Sequence, residues 1–176
     1  MRITLVATLF DPNRGHTLPF YNLAKGLTFF TDEVTCYYSS NKCKKEIFSV
    51  KGRKFVSVGV PSRIFKIKNT FFSFSPQLFR SLLNSTFDLV HTHEYVSINS
   101  LIAFIVAIFR RKPILVTTPL YLPTWGTKWG YIGSIICHIL APFINIIASK
   151  IICASTTSYQ THIRLGFQKS KLCIVP

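Results

Sequence analysis

Acidic side chains are scarce in this sequence. Its 176 residues include 6 Asp and Glu against 21 Lys and Arg, which gives a formal net charge of +15. Such a one-sided balance predicts an anionic partner, and both nucleic acid and an anionic membrane qualify. The 16 phenylalanines, with cations beside apolar runs, favour a membrane surface. Nucleic acid is the less favoured alternative, because the sequence contains no recognisable nucleic-acid-binding module.

Three motifs that would define other protein classes are also missing. The five cysteines form no C-x-x-C pair and are odd in number, which argues against a disulfide framework and a zinc ribbon. No G-x-G-x-x-G follows the first apolar run, so a dinucleotide-dependent oxidoreductase is disfavoured. The apolar run at 3–10 is too short for the core of a signal peptide. We therefore expect a cytoplasmic protein without a bound metal.

What the sequence does contain is an alternation of strand-like and helix-like segments. Such alternation predicts one doubly wound, Rossmann-like α/β domain over 1–176, with about six or seven mostly parallel strands. Strands are expected at 3–10, 34–38, 55–60, 87–91, 114–118, 151–154 and 172–175. Ser75 with Pro76 predicts the start of one helix, and Thr157 with Gln160 predicts a capping box for another.

Two segments indicate contact with lipid. Residues 42–68 carry nine Lys or Arg and one acid, Glu46, and run into the Phe-rich stretch at 64–74. The Phe-rich stretch at 64–74 is interpreted as a segment that dips into lipid headgroups, or as a surface loop whose Phe side chains fold back into the core. Residues 129–149 contain no charged side chain. They predict a buried or interfacial helix, with a single membrane span as the alternative.

Taken in order, these segments resemble the N-terminal domain of family-four retaining glycosyltransferases, which are two-domain enzymes of the GT-B fold. The strings that carry the resemblance are Leu23-Ala24-Lys25-Gly26-Leu27, Asp32-Glu33-Val34-Thr35, Phe87-Asp88-Leu89-Val90-His91-Thr92-His93, Pro113-Ile114-Leu115-Val116-Thr117-Thr118-Pro119, Ile151-Ile152-Cys153-Ala154-Ser155, Leu165-Gly166-Phe167 and Lys171-Leu172-Cys173-Ile174-Val175-Pro176. The resemblance implies that this chain is the acceptor-side half, and that the C-terminal donor-binding domain is absent from it.

Candidate site residues follow the strands, because open α/β sheets bind ligands beyond the carboxyl ends of their strands. Arg14, Gly15 and His16 precede a predicted helix, whose N-terminal amides favour a phosphate. The alternative is an ordinary turn. In the family this loop has two adjacent glycines, and here Arg14 stands at the first of them.

The strand at 87–91 leads into His91 and His93, which alternation places on one side, and then Glu94. The resemblance implies that His93 and Glu94 are catalytic and that His91 binds substrate, whereas a hydrogen-bonded structural histidine is the alternative. A metal site would need a further ligand. Thr118 and Tyr121 are the substrate-binding candidates of the next loop. Leu120 and Leu122 stand where the family has histidines.

The implied function is transfer of a hexose from a UDP- or GDP-sugar, with no tightly bound cofactor. The acceptor would be lipid-linked or a polysaccharide, at the inner face of the cell membrane. Because the donor half is missing, the chain alone is expected to transfer little sugar. The alternative is a non-catalytic subunit that binds acceptor or membrane and pairs with a separately encoded donor domain.

Overall fold

The computed structural model describes residues 1–8, 18–67, 70–118 and 128–175. Its strands are β1 (Arg2–Val6), β2 (Glu33–Ser40), β3 (Lys44–Val50), β4 (Arg53–Pro61), β5 (Arg63–Ile67), β6 (Thr70–Phe74), β7 (Leu89–Thr92), β8 (Ile114–Thr117), β9 (Lys150–Cys153) and β10 (Leu172–Ile174). Its helices are α1 (Leu18–Leu27), α2 (Pro76–Asn84), α3 (Ile98–Phe109), α4 (Lys128–Ile147) and α5 (Thr156–Arg164).

Eight strands form the main sheet, in the order β10-β9-β8-β7-β1-β2-β4-β3. Every neighbouring pair from β10 to β4 is parallel, whereas β3 runs antiparallel to β4 at the edge. The predicted Rossmann-like class is therefore confirmed. From β1 the chain continues to β2 on one side of it, and it later crosses back to form β7 on the other side of β1. The topological switch point, where such sheets bind ligands, thus lies between β1 and β7.

Helices cover both faces of the sheet, and each face has its own core. On one face, α1 packs Phe20 and Ala24 against Leu5, Cys36 and other side chains of β1, β2 and β4. On the other face, side chains of α2, α3, α4 and α5 form a larger core with the inward side chains of β7, β8 and β9. This division follows from the right-handed crossovers on the two sides of the switch point.

Strand β3 is the main departure from the strands expected from sequence. It pairs with β4 through a two-residue turn in which Lys51 and Gly52 both have positive φ, at 47° and 77°. A turn of this kind matches the twist of a hairpin. Strand β3 lies at the edge of the sheet, and the exposed Lys44 and Lys45 at its start protect this open edge against pairing with other chains.

The Phe-rich segment at 64–74 is also a hairpin and not a loop. Strands β5 and β6 pair antiparallel as a separate two-stranded sheet, with Arg63 opposite Phe74. Aromatic side chains favour strands because they pack well on a pleated surface. The interpretation of this segment as a loop was therefore wrong.

Local sequence signals explain most of the helix ends. Ser75 caps α2 by accepting the Leu78 N–H at 3.2 Å, and Pro76 is the first helical residue, so that prediction is confirmed. The prediction of a capping box at Thr157 was wrong. Ser155 caps α5, because it is the last extended residue and its hydroxyl accepts the Ser158 N–H at 3.1 Å. Gly166, with φ of 89°, ends α5 in a Schellman motif.

Helix α4 corresponds to the uncharged segment at 129–149. Its described inner side chains, including Cys137, Ala141 and Ile144, are buried in the core, and Pro142 lies inside the helix. None of the described helices has the length and hydropathy needed to cross a bilayer.

Candidate functional site

The loop after β7 brings the main candidates to the switch point of the sheet. The His93 N–H donates to the Val6 carbonyl at 3.0 Å, which continues the pairing of β7 with β1 by one residue. The His93 ring is half-buried and packs on the Phe20 ring of α1, with centroids 5.3 Å apart. His93 is therefore held between β1 and α1, where a ligand at the switch point would lie.

His91 is buried beneath this loop. Its Nε2 lies 2.7 Å from the Thr117 Oγ1 of β8, so the ring links two neighbouring strands. Burial, together with the nearby His93, lowers the pKa of His91 to about 4. The ring is thus neutral near pH 7, and its contacts are those of a structural residue that supports the loop above it.

Glu94 is the acid of this site. Its side chain is half-buried, and burial raises the pKa of its carboxyl above the usual range. A carboxyl group with a raised pKa can exchange a proton with a substrate hydroxyl nearer to neutral pH than an exposed one can. Glu94 thus adds a carboxyl group with a raised pKa to the loop that follows β7.

A chain of buried polar contacts connects this loop to α5. Thr118, which is fully buried after β8, places its Oγ1 2.9 Å from the Ser158 Oγ. The Ser158 carbonyl lies 2.7 Å from the His162 Nδ1, and the His162 Nε2 lies 3.0 Å from the Tyr95 hydroxyl. A carbonyl can only accept, so Nδ1 carries the proton and Nε2 accepts from Tyr95.

Burial also lowers the pKa of His162, which keeps its ring neutral. The Tyr95 hydroxyl further lies 3.4 Å from the Cys137 Sγ of α4, and its ring packs on Phe167 at 5.2 Å. Tyr95 directly follows Glu94 in sequence. These contacts therefore anchor the β7 loop to both α4 and α5.

The N-terminus of α3 lies at the same end of the sheet. Ser97 caps this helix by accepting the Ser100 N–H at 3.1 Å. The buried Asn99 donates from Nδ2 to the Ala7 carbonyl at 3.2 Å and to the Ser39 hydroxyl at 2.8 Å. The ends of β1 and β2 are thus tied to the start of α3.

The structure brings His91, His93 and Glu94 together, and Thr118 joins them indirectly through Ser158, His162 and Tyr95. Arg14, Gly15, His16 and Tyr121 lie outside the described residues, as do Leu120 and Leu122. Among the described residues, no cluster of three or more His, Cys, Asp or Glu side chains could hold a metal ion.

Sequence reasoning missed Tyr95 and His162. Tyr95 and His162 are 67 positions apart. The one local signal was the spacing of Ser158 and His162, which places both on one face of a helix.

The fold can now be compared with those of known proteins. Neither a family model nor a curated protein sequence matches this chain. The solved structures that match 99% of it include HepE from Anabaena with UDP and glucose (14% identity, TM-score 0.67), sucrose-phosphate synthase from Thermosynechococcus elongatus (12%, 0.64) and UDP-N-acetylglucosamine 2-epimerase from Rickettsia bellii (12%, 0.55).

The fold is one Rossmann-like half of the GT-B architecture. This chain spans 44%, 47% and 44% of the lengths of those three proteins, respectively. At 12–14% identity the likeness establishes the fold alone, since one fold supports several activities.

Proposed function

We propose that this chain is the acceptor-side half of a nucleotide-sugar-dependent glycosyltransferase of the family-four retaining type. The observation that carries the proposal is the position of His93 and Glu94 at the switch point of a GT-B half. The proposed acceptor is a lipid-linked sugar or a polysaccharide, and the proposed location is the inner face of the cell membrane.

The nature of the donor is proposed from two of the similar structures. HepE has been solved with UDP-glucose bound, and sucrose-phosphate synthase is named for a transfer product. A UDP-sugar, or alternatively a GDP-sugar, is therefore the proposed co-substrate. The proposal includes a second Rossmann-like half for the donor, either in the same polypeptide or encoded separately, because this chain spans less than half of those proteins.

Within this half, Glu94 is assigned proton transfer at the acceptor hydroxyl, because burial raises the pKa of its carboxyl. His93 is assigned to orient the acceptor, since its ring is held against Phe20. His91 is assigned a supporting role through its contact with Thr117. The remaining catalytic interactions, above all with the departing diphosphate, are assigned to the donor half.

A non-catalytic subunit is the second candidate, and a specific observation favours it. Leu120 and Leu122 stand where the resembled family has histidines. A chain without those side chains retains the fold and an acceptor surface but has lost two polar groups. In this case the protein would bind acceptor or membrane and recruit a separate donor half.

The test is a transfer assay on the longest native polypeptide that contains this chain, supplemented with a separately encoded donor half where one exists. Radiolabelled UDP- and GDP-sugars are offered with detergent-solubilised lipid acceptors, and labelled product is counted. We expect Glu94→Gln to lower the transfer rate at least about 100-fold, the usual contribution of a general acid or base.

Glu33→Gln is the matched control, because Glu33 is exposed at the opposite end of the sheet, at the start of β2. Equal rates for Glu94→Gln and the unmodified protein would refute the catalytic assignment of Glu94. Acceptor binding without any transfer, even with the donor half present, would instead establish the non-catalytic subunit.

A further inference from the structure

The outward faces of α3 and α4 are apolar, although they are exposed. Neither α3 nor the stretch from 134 to 149 contains a Lys, Arg, Asp or Glu residue. The large exposed side chains are Ile98, Ile105, Ile108 and Phe109 on α3, and Ile135, Ile136, Ile139, Phe143 and Ile146 on α4. We call these nine side chains the α3–α4 face.

Each helix presents these side chains as a continuous stripe, because they recur at spacings of three, four and seven residues. The opposite side of each helix is also apolar, with Ala103 and Val106 of α3 and Ala141 and Ile144 of α4 in the core. A helix that is apolar all round is normally buried on every side. Here only the inner side is covered by the described residues.

The two stripes lie on helices that are neighbours on one face of the sheet. Helix α3 connects β7 to β8, α4 connects β8 to β9, and both pack on the same face of the sheet. The most exposed members are Phe109 and Ile146, each 80% exposed, and Ile139, 70% exposed. Exposed apolar patches on monomers rarely exceed roughly 300–600 Å², and larger ones mark contact with protein or membrane.

Exposed cations lie at the ends of these two helices and on the neighbouring α2. Arg111 is exposed at the end of α3, Lys150 is exposed just after α4, and Arg80 is exposed on α2, which packs against α3. An apolar surface with cations near it fits a bilayer with anionic headgroups, because the side chains enter the acyl boundary while the cations meet phosphates. A second copy fits less well, since the chain carries a net charge of +15 and would repel it.

We propose that the α3–α4 face docks this protein on an anionic lipid bilayer. This inference rests on the proposed function, deepens its membrane partner and places the contact on two helices rather than on the basic segment at 42–68. With the inner sides of α3 and α4 fixed on the sheet, both helices lie in the plane of the interface. The exposed Ile and Phe side chains provide the apolar contact.

The test is co-sedimentation of the purified full chain with vesicles of phosphatidylcholine alone, or mixed equally with phosphatidylglycerol. We expect binding to the mixed vesicles only. The double variant Ile139→Ser with Ile146→Ser should lower the partition coefficient at least about tenfold, because two largely exposed side chains lose their apolar contact with the acyl boundary. Phe109→Ser alone should lower it roughly fivefold.

Matched controls come from exposed apolar residues elsewhere. Phe30, after α1, is 83% exposed, and Ile47, on β3, is 64% exposed. Phe30→Ser and Ile47→Ser should bind vesicles like the unmodified chain, and circular dichroism should show that all variants are folded. The proposal is overturned if the controls lose as much binding as the α3–α4 variants, or if the double variant binds normally.

Two further outcomes also overturn it. Equal binding to neutral and anionic vesicles would remove the role of the cations. A dimer in sedimentation velocity that disappears in the double variant would identify a second copy as the occupant. No step of this test measures sugar transfer, and the transfer assay uses solubilised acceptor, so the docking surface and the enzymatic proposal can fail independently.

Discussion

The switch point of the sheet and the α3–α4 face distribute their side chains in opposite ways. At the switch point, polar groups such as His91, Thr118 and His162 are buried and partnered. On the α3–α4 face, Ile and Phe side chains are exposed. Ordinary folding favours neither arrangement, because buried polar groups must be matched and exposed apolar groups gain nothing. The exposed apolar face therefore indicates a role beyond stability, whereas the buried polar contacts hold the loop at the switch point in place.

The largest expected effect on stability comes from acidifying the buried histidines. The unfolded His91 has an ordinary pKa near 6.5 and the folded one a pKa of about 4, so the unfolded state binds more protons between these values. The free energy of unfolding should therefore fall by about 3 kcal/mol from this group between pH 7 and pH 4. Urea denaturation across this range measures it.

His91→Asn is the comparison for that experiment, because it removes the titrating ring while keeping a polar group beside Thr117. The pH dependence of the variant should be shallower than that of the unmodified chain by the same amount. If both show the same dependence, His91 is not held neutral by burial. His162 has a pKa lowered in the same direction and should leave a smaller residual slope in the variant.

A smaller loss of unfolding free energy is expected when the Tyr95 hydroxyl is removed. Tyr95→Phe leaves the His162 Nε2 without its donor while the ring packing is retained. Leaving a buried acceptor unpaired costs about 1–3 kcal/mol of unfolding free energy. Thermal or urea denaturation would measure the loss.

Tyr159→Phe on α5 is the control, because Tyr159 is only half-buried at the border of the same core. It should change stability by less than about 0.5 kcal/mol. Equal losses for both variants would mean that the contact between Tyr95 and His162 contributes nothing.

The smallest change in unfolding free energy is expected for substitutions on the α3–α4 face. Ile139→Ser should change the free energy of unfolding by less than about 0.5 kcal/mol, because most of the Ile139 side chain is already in water. Urea denaturation in the absence of lipid is the measurement. A loss above about 1 kcal/mol would show that Ile139 packs inside the fold, and the comparison between the two regions would no longer hold.

The parts of the site that sequence could predict are those defined by neighbouring residues. His91 lies in β7 and His93 and Glu94 directly follow it, so their position at one end of the sheet could be predicted from the order of residues. The contact between this loop and α5 could not be predicted from the sequence. Tyr95 and His162 meet only after β7 and α5 are placed on the sheet. Their pairing depends on long-range packing that leaves no local pattern.

The strands of the parallel sheet could likewise be predicted from local sequence, whereas the two hairpins could not. Buried strands such as β1, β7 and β8 are recognisable because an apolar run with β-branched residues suits a strand covered on both faces. Strand β3 carries exposed cations, and its strand character comes from pairing with β4. The Phe-rich segment at 64–74 became a strand pair for a similar reason, since pairing supplies its backbone hydrogen bonds.

The sequence by itself determined the alternating α/β order, the cap at Ser75 and the unusual charge, because these depend on local propensity and composition. Tertiary structure alone decided which polar groups are buried at the switch point and which apolar groups stay outside. An uncharged segment such as 134–149 is compatible with burial on every side. Only packing on the sheet shows that one face of α4 is covered and the other is exposed.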